Sequence, residues 1–316
     1  MRMFNETETA LSEAADGLLF ACGGAYEKLA ADFGCCVIRR SLPADRVRII
    51  VDGGGGYGPM WLEFAAPGLA DAIVCGDFNS APNAYTLFDA GRRIDCGRGV
   101  LLLANNYMGD YLNNDMAADL LRESGVEAEA CYVSDDLFSS AGEPRENRGG
   151  LCGIGLVCKT AAAAAAAGLP LAEVRRLADK CAERVRSLSA LLREDGTLAF
   201  GCGFSGEPPA GVVPWRSCRD LAERAAEFLL AELADYPDDP VCLLVDRAKQ
   251  TCVTEGFVLL NAFRLELEKR GRTVFAAAQG DYFDVFPGQG CVVSVLAADE
   301  ELRRYLRPVT GYEFTL

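Results

Sequence analysis

Short apolar runs alternate with stretches of helical period along most of the chain. The first ~40 residues read as amphipathic helix and loop and end in the apolar patch CCVIRR. The regular pattern then begins. RVRIIVD (46–52) is short and β-branched, a second run centres on Ala72 to Cys75, GVLLLAN supplies a third strand, and EAEACYV a fourth. Between the last two, YLNNDMAADLLRESG has helical spacing, with Met116, Leu120 and Leu121 on one face and Gly125 as the C-cap. Strands alternating with helices predict parallel pairing, with helices packed on the sheet.

Residues 151–192 read as helical throughout. The alanine run Ala161 to Ala167 is a close-packing device, and Gly168 and Pro170 interrupt it before LAEVRRLADKCAERVRSLSALL. TLAFGCGFSGEPPAGVVPW is a glycine- and proline-rich loop with flanking strand character. A helix follows from about Arg219 to Ala234, and DYPDD makes a break. PVCLLVD, a helix around Phe257 to Lys269, TVFAAAQG, CVVSVLAA and a short helix over 299–306 complete the pattern. The expected class is α/β, with two α/β lobes, each a mostly parallel or mixed sheet covered by helices. A chain of 316 residues suits two cores. The boundary falls near residue 190: an N-terminal lobe, 1–190, carries glycine-rich substrate loops, and a C-terminal lobe, 191–316, contributes a G-E-P loop.

Charge and composition narrow the function. A net charge of −15 opposes any grip on nucleic acid or anionic membrane surfaces, which depends on clustered Lys and Arg. No basic segment followed by an apolar stretch opens the chain, and no run reaches the ~20 apolar residues that cross a bilayer, so a cytoplasmic location is expected. Fourteen cysteines are scattered without a C-x-x-C pair, which reads as reduced, packed thiols rather than a metal site. The chain has no histidine. Proton transfer therefore falls to Asp, Glu, Lys, Tyr or Cys.

In α/β sheets ligands gather at the carboxyl ends of strands, so the residues after each strand carry the candidate chemistry. After the first strand come Gly53, Gly54, Gly55 and Gly56, then Tyr57, a run that lets backbone amides approach a ligand closely; a tight turn is the plain alternative. It matches neither nucleotide-binding glycine motif. The second strand leads to Gly76-Asp77-Phe78-Asn79-Ser80, whose polar groups suit sugar-like hydroxyls. The third gives Asn105, Asn106 and Asp110, where Asp110 is either a general base or an N-cap of the following helix. Asp135-Asp136 after the fourth strand sets two carboxylates side by side, with a solvated turn as the alternative. The loop around Ser205 has the same small-residue character and could close over the pocket from the second lobe.

Taken in order, these loops resemble the substrate-binding subunit of the dihydroxyacetone kinases. GGGGYGPM is similar to that family's GGGSGHEPM loop, the segment from Gly97 to Asp136 to its strand, N-Y-x-G-D loop, helix and strand-D-D, and FGCGFSGEPPAG to its FGxGxHGEPG loop. The resemblance implies a subunit that holds a ketose or polyol while a separate nucleotide-binding kinase subunit phosphorylates it. It also implies a homodimer, with no cofactor on this chain. The donor would be ATP with Mg²⁺, or a phosphoenolpyruvate-derived phosphoryl group, reached through the partner. In the family the loop histidine forms a covalent hemiaminal with the substrate; Ser205 stands at that position here and cannot. The histidine after the glycine run is replaced by Tyr57 and Gly58, and the lysine before N-Y-x-G-D by Asn105. Asp110 matches the family's residue that contacts and activates the substrate hydroxyl.

Two functions are compatible with this pattern. In one, the chain is a kinase half-site in which Asp110 accepts a proton while Gly53 to Gly56, Tyr57, Ser80, Asn105, Asn106 and Ser205 bind a small ketose or polyol without a covalent bond. In the other, the pocket belongs to a non-catalytic paralogue that senses a metabolite and signals to a partner.

Overall fold

The apolar runs of the first half pair as the β-branched pattern predicts. The structure is a computed structural model that describes residues 4–43, 45–54, 64–78, 80–139, 144–283 and 286–306. Its described residues divide into two compact units. The first comprises Met1–Tyr132 and Cys158–Asp179, the second Val133–Val157 and Lys180–Tyr312. The chain thus passes between units three times, through the segment after Tyr132 and through two helices, α4 (Ile154–Ala166) and α5 (Leu171–Arg184). This differs from a single boundary at residue 190, which falls inside a strand of the second unit's sheet.

The first unit opens with α1 (Ala10–Ala21), β1 (Tyr26–Leu29) and β2 (Cys35–Arg39), then β3 (Arg48–Gly53), β4 (Ala72–Cys75), α2 (Ala84–Ile94), β5 (Val100–Asn105), α3 (Met108–Glu123) and β6 (Ala128–Val133). Its sheet has the order β1-β2-β4-β3-β5-β6. The β3 strand runs parallel to β4 and β5, while β1 and β2 form an antiparallel edge. CCVIRR is thus a strand whose partner, β1, the periodicity alone does not reveal. Ile50, Val74, Leu102, Leu87, Ala117 and Leu121 form one core between sheet and helices. The α3 helix buries Ala117, Ala118 and Leu121 together with Asp110 and Asn114, while Met116 is exposed, so the inward face is smaller and more polar than predicted. Gly125 ends it as expected, with φ +88° and the Val126 amide donating to the Leu121 carbonyl.

The second unit contains β7 (Val185–Leu192), β8 (Thr197–Phe200), β9 (Gly211–Pro214), α6 (Cys218–Ala231), β10 (Val241–Arg247), α7 (Val253–Lys269), β11 (Val274–Gly280), β12 (Gln289–Ala297) and α8 (Glu300–Leu306). The sheet order is β11-β10-β12-β7-β8-β9, with only β10 and β11 parallel. It is therefore mixed but mainly antiparallel, unlike the first. VRSLSALL, read above as the end of a helix, is the interior strand β7. Its helix-forming residues are overridden because both of its edges pair, with β12 and β8, and both faces are covered. Leu188, Ala190, Leu243, Val293, Leu229 and Phe263 form the core beneath α6 and α7. Among the described residues no helix is long and apolar enough to cross a membrane, and the fourteen cysteines are all free thiols.

Candidate functional site

Parallel strands β4, β3 and β5 end side by side, and three loops leave their carboxyl ends together. The Gly76 amide donates to the Gly53 carbonyl at 2.8 Å. A Cβ on Gly76 would stand 1.9 Å from the Ser80 carbonyl oxygen, and one on Gly54 would stand 3.1 Å from the same atom. A Cβ on Gly109 lies 3.0 Å from that of Ala81. Gly76 is thus a residue without a side chain because backbone occupies that space. Gly53, Gly54, Ser80, Asn105, Asn106 and Asp110 are brought to one edge of the first unit's sheet. Gly55, Gly56, Tyr57 and Asn79 lie outside the described residues.

The polar groups at this edge are unusually deep. Asn105 closes β5 at 3% exposure and Asn106 is half-buried, while Ser80 is exposed. Asp110 sits in the first turn of α3, buried, and its Oδ1 has no hydrogen-bond partner among the described residues. The cap position is held by Tyr107, so Asp110 is not the N-cap that one reading allowed. A carboxylate in a helix's first turn is ordinarily stabilised by the dipole, yet burial wins here and raises its pKa to about 7. That is a base poised to exchange protons near neutrality.

Two further residues complete the cluster and escaped the sequence reading. Asp52, the penultimate residue of β3, is fully buried; burial first, and the Asp110 charge second, push its pKa well above the usual carboxylate range. Asn114, one turn beyond Asp110 on α3, donates from Nδ2 to Asp52 Oδ1 at 2.8 Å and to the Asp110 carbonyl at 2.9 Å. Asp52 Oδ2 and Asn114 Oδ1 are left without partners among the described residues. Two signals could have found them: an acid closing an apolar strand beside a glycine run, and an amide at i+4 from Asp110.

Ser205 belongs to the second unit, in the loop between β8 and β9. It is exposed, and its amide donates to Glu207 Oε2 at 2.9 Å. Asp135 and Asp136 are fully buried in the same unit, not a solvated turn. Asp135 accepts from the Leu151 amide at 2.7 Å, the Gly153 amide at 2.8 Å and the Ser187 hydroxyl, a satisfied network of structural character. Asp136 takes the Phe138 amide at 2.9 Å and is pushed to about 7 by burial. Asp246 on β10 accepts the Tyr282 amide at 2.6 Å, and burial raises it to about 8. No cluster of three or more Cys, Asp and Glu arranged to hold a metal occurs among the described residues.

Buried acids and amides at the carboxyl ends of parallel strands define an α/β protein of the class that takes small polar ligands at that edge of its sheet. The chain belongs to the Dak1 domain family, whose model matches residues 21–312. It is 27% identical over 319 residues, 96% of each chain, to the dihydroxyacetone-binding subunit DhaK of PTS-dependent dihydroxyacetone kinase 2 from Listeria innocua. Its fold matches the crystal structure of the dihydroxyacetone kinase of C. freundii, with a TM-score of 0.86 and 24% identity over 96% of this chain and 58% of that one. It also matches a dihydroxyacetone kinase operon co-activator, with a TM-score of 0.84 and 20% identity over 94% of this chain and 95% of that one. At these identities the two structures establish the fold alone.

Proposed function

We propose that this chain is the substrate-binding subunit of a dihydroxyacetone-kinase-like phosphotransferase, holding a small ketose or polyol without a covalent bond. The observation that carries the reading is Asp110: a buried carboxyl with an oxygen unpaired among the described residues, proton affinity near neutrality, and a place at the strand edge where ligands bind. Asp110 accepts the proton of the ligand hydroxyl as that oxygen attacks the phosphoryl group. The amides of the loops at Gly53, Gly54 and Asn106 and the hydroxyl of Ser80 hold the remaining oxygens.

The phosphoryl group comes from a second subunit, carrying ATP with Mg²⁺ or a group derived from phosphoenolpyruvate, and the chain acts as a cytoplasmic homodimer. The likeness to a subunit named for binding dihydroxyacetone, over nearly the whole of both chains, supports the division of labour.

A second reading, a non-catalytic metabolite sensor, is favoured by the absence of histidine. One experiment separates them. Thermal shift over trioses, tetroses and their phosphates identifies the ligand class, and addition of a nucleotide-binding partner subunit with donor then reads phosphorylation of the hit. Phosphorylated product supports the kinase subunit; a ligand-stabilised protein that yields none leaves the sensor.

A further inference from the structure

Asp52 occupies a position that a protein core rarely grants a carboxyl. It is 0% exposed, one oxygen is fixed by the Asn114 amide at 2.8 Å, and the other oxygen meets nothing among the described residues. An unpaired buried polar atom is costly, so an acid in that state calls for a partner. Asn114 Oδ1 and Asp110 Oδ1 are unpaired in the same way. Three open oxygens on residues tied by one amide, at the carboxyl ends of the parallel strands, point to a ligand rather than to packing.

We propose that Asp52 is a second ligand-contacting residue, its unpaired Oδ2 hydrogen-bonding the carbonyl oxygen of a small ketose beside Asp110. The contact rests on the reading of this edge as a ketose site and names the group that anchors the carbonyl in a chain without imidazole.

To meet a carbonyl oxygen, which only accepts, Oδ2 must carry a proton. The surroundings provide for that. Among the described residues, the titratable groups that bear on Asp52 are Asp110 on α3, Tyr132 on β6 and Cys75 at the end of β4, none of them basic. Tyr132 is itself committed, donating to Asp115 at 2.5 Å. Burial raises Asp110 to about 7, while burial first and the Asp110 charge second push Asp52 well above the usual carboxylate range. One acid of the pair is thus a base at neutral pH while the other remains a neutral donor, the division of roles that distinct environments impose on neighbouring carboxyls. Asn114 orients Asp52 by occupying the carbonyl-like oxygen, which leaves Oδ2 as the hydroxyl.

The test compares binding of dihydroxyacetone and glycerol by wild type, Asp52→Asn and Asp52→Ala, with folding checked by circular dichroism. Asparagine accepts from Asn114 through its oxygen and donates through its nitrogen, so it mimics the neutral acid. Asp52→Asn should bind dihydroxyacetone within about 3-fold of wild type, while Asp52→Ala weakens it by about 10-fold or more, as loss of one buried hydrogen bond implies. Wild-type preference for dihydroxyacetone over glycerol should shrink in Asp52→Ala. Equal binding by wild type and Asp52→Ala, or Asp52→Asn as weak as Asp52→Ala, overturns the contact while leaving the ketose site intact. Wild-type protein that binds no dihydroxyacetone removes the ketose reading and the contact together. Should Asp52→Ala not fold, infrared difference spectra at pH 7 between wild type and Asp52→Asn decide the protonation: a carboxylic-acid band lost in the variant supports the donor, and its absence from wild type overturns it.

Discussion

Asn114 donates one amide group to both Asp52 Oδ1 and the Asp110 carbonyl, at 2.8 and 2.9 Å, so a strand end and a helix start are fastened by a single side chain. Replacing Asn114 with alanine leaves Asp52 Oδ1 unpaired in the core. The cost in stability should be about 1–3 kcal/mol, read by denaturant unfolding. Ligand affinity should fall in the same variant, because both acids lose their shared support.

Asp110→Asn should lower phosphoryl transfer, assayed with the partner subunit present, by at least about 100-fold, the usual scale for removing a general base. Folding should survive, since Asp110 Oδ1 holds no partner among the described residues. Turnover equal to wild type would remove Asp110 from the mechanism.

The pH dependence should carry a carboxyl's signature at an imidazole's position. No histidine exists to titrate, so a rise in turnover centred near pH 7 belongs to Asp110, whose pKa burial raises to about 7. The limb should disappear in Asp110→Asn, measured at saturating donor.

Stability should run the other way. Asp110, Asp136 and Asp246 have folded pKa values of about 7, 7 and 8, above the ~3.9 of an unfolded aspartate. The folded state binds more protons between these limits, so their contribution is fully present below pH ~4 and is lost as pH rises through 7 to 8. In the ligand-free protein the melting temperature of Asp246→Asn should therefore gain on wild type between pH 5 and pH 8. An unchanged difference across that range would contradict the burial argument.

Gly76→Ala should destabilise the site loops, because its Cβ would stand 1.9 Å from the backbone oxygen of Ser80, which cannot rotate away. A loss of about 1–3 kcal/mol is expected. Treatment with dihydroxyacetone and borohydride should add no stoichiometric mass to residues 201–208, where Ser205 offers no nitrogen for a hemiaminal; a mapped adduct would refute the alignment of that loop.

The strand runs of the first unit were readable because β3, β4 and β5 are apolar, buried on both faces and bounded by glycine. The β7 strand was not: VRSLSALL has helix-forming composition, and only pairing on both edges makes it a strand. The same limit applies to the site. Asn105 and Asp110 stood in a loop whose motif announces itself, whereas Asp52 looked like the last residue of a strand. Its importance lies in an oxygen with no partner among the described residues, a property of three-dimensional packing. Helical spacing puts Met116, Leu120 and Leu121 on one face, yet α3 buries Ala117, Ala118 and Asn114 with Leu121 and leaves Met116 exposed.

The interleaved path of the backbone governs how this molecule can be taken apart. Each compact unit is assembled from two stretches separated in the sequence, joined through α4 and α5. A cut at 132 divides the first unit, a cut at 190 divides the second and a cut at 157 divides both, so each cut should leave at least one fragment that expresses as unfolded material. Inheritance by whole-module transfer, rather than piecemeal exchange of one lobe, is the evolutionary route such a weave permits.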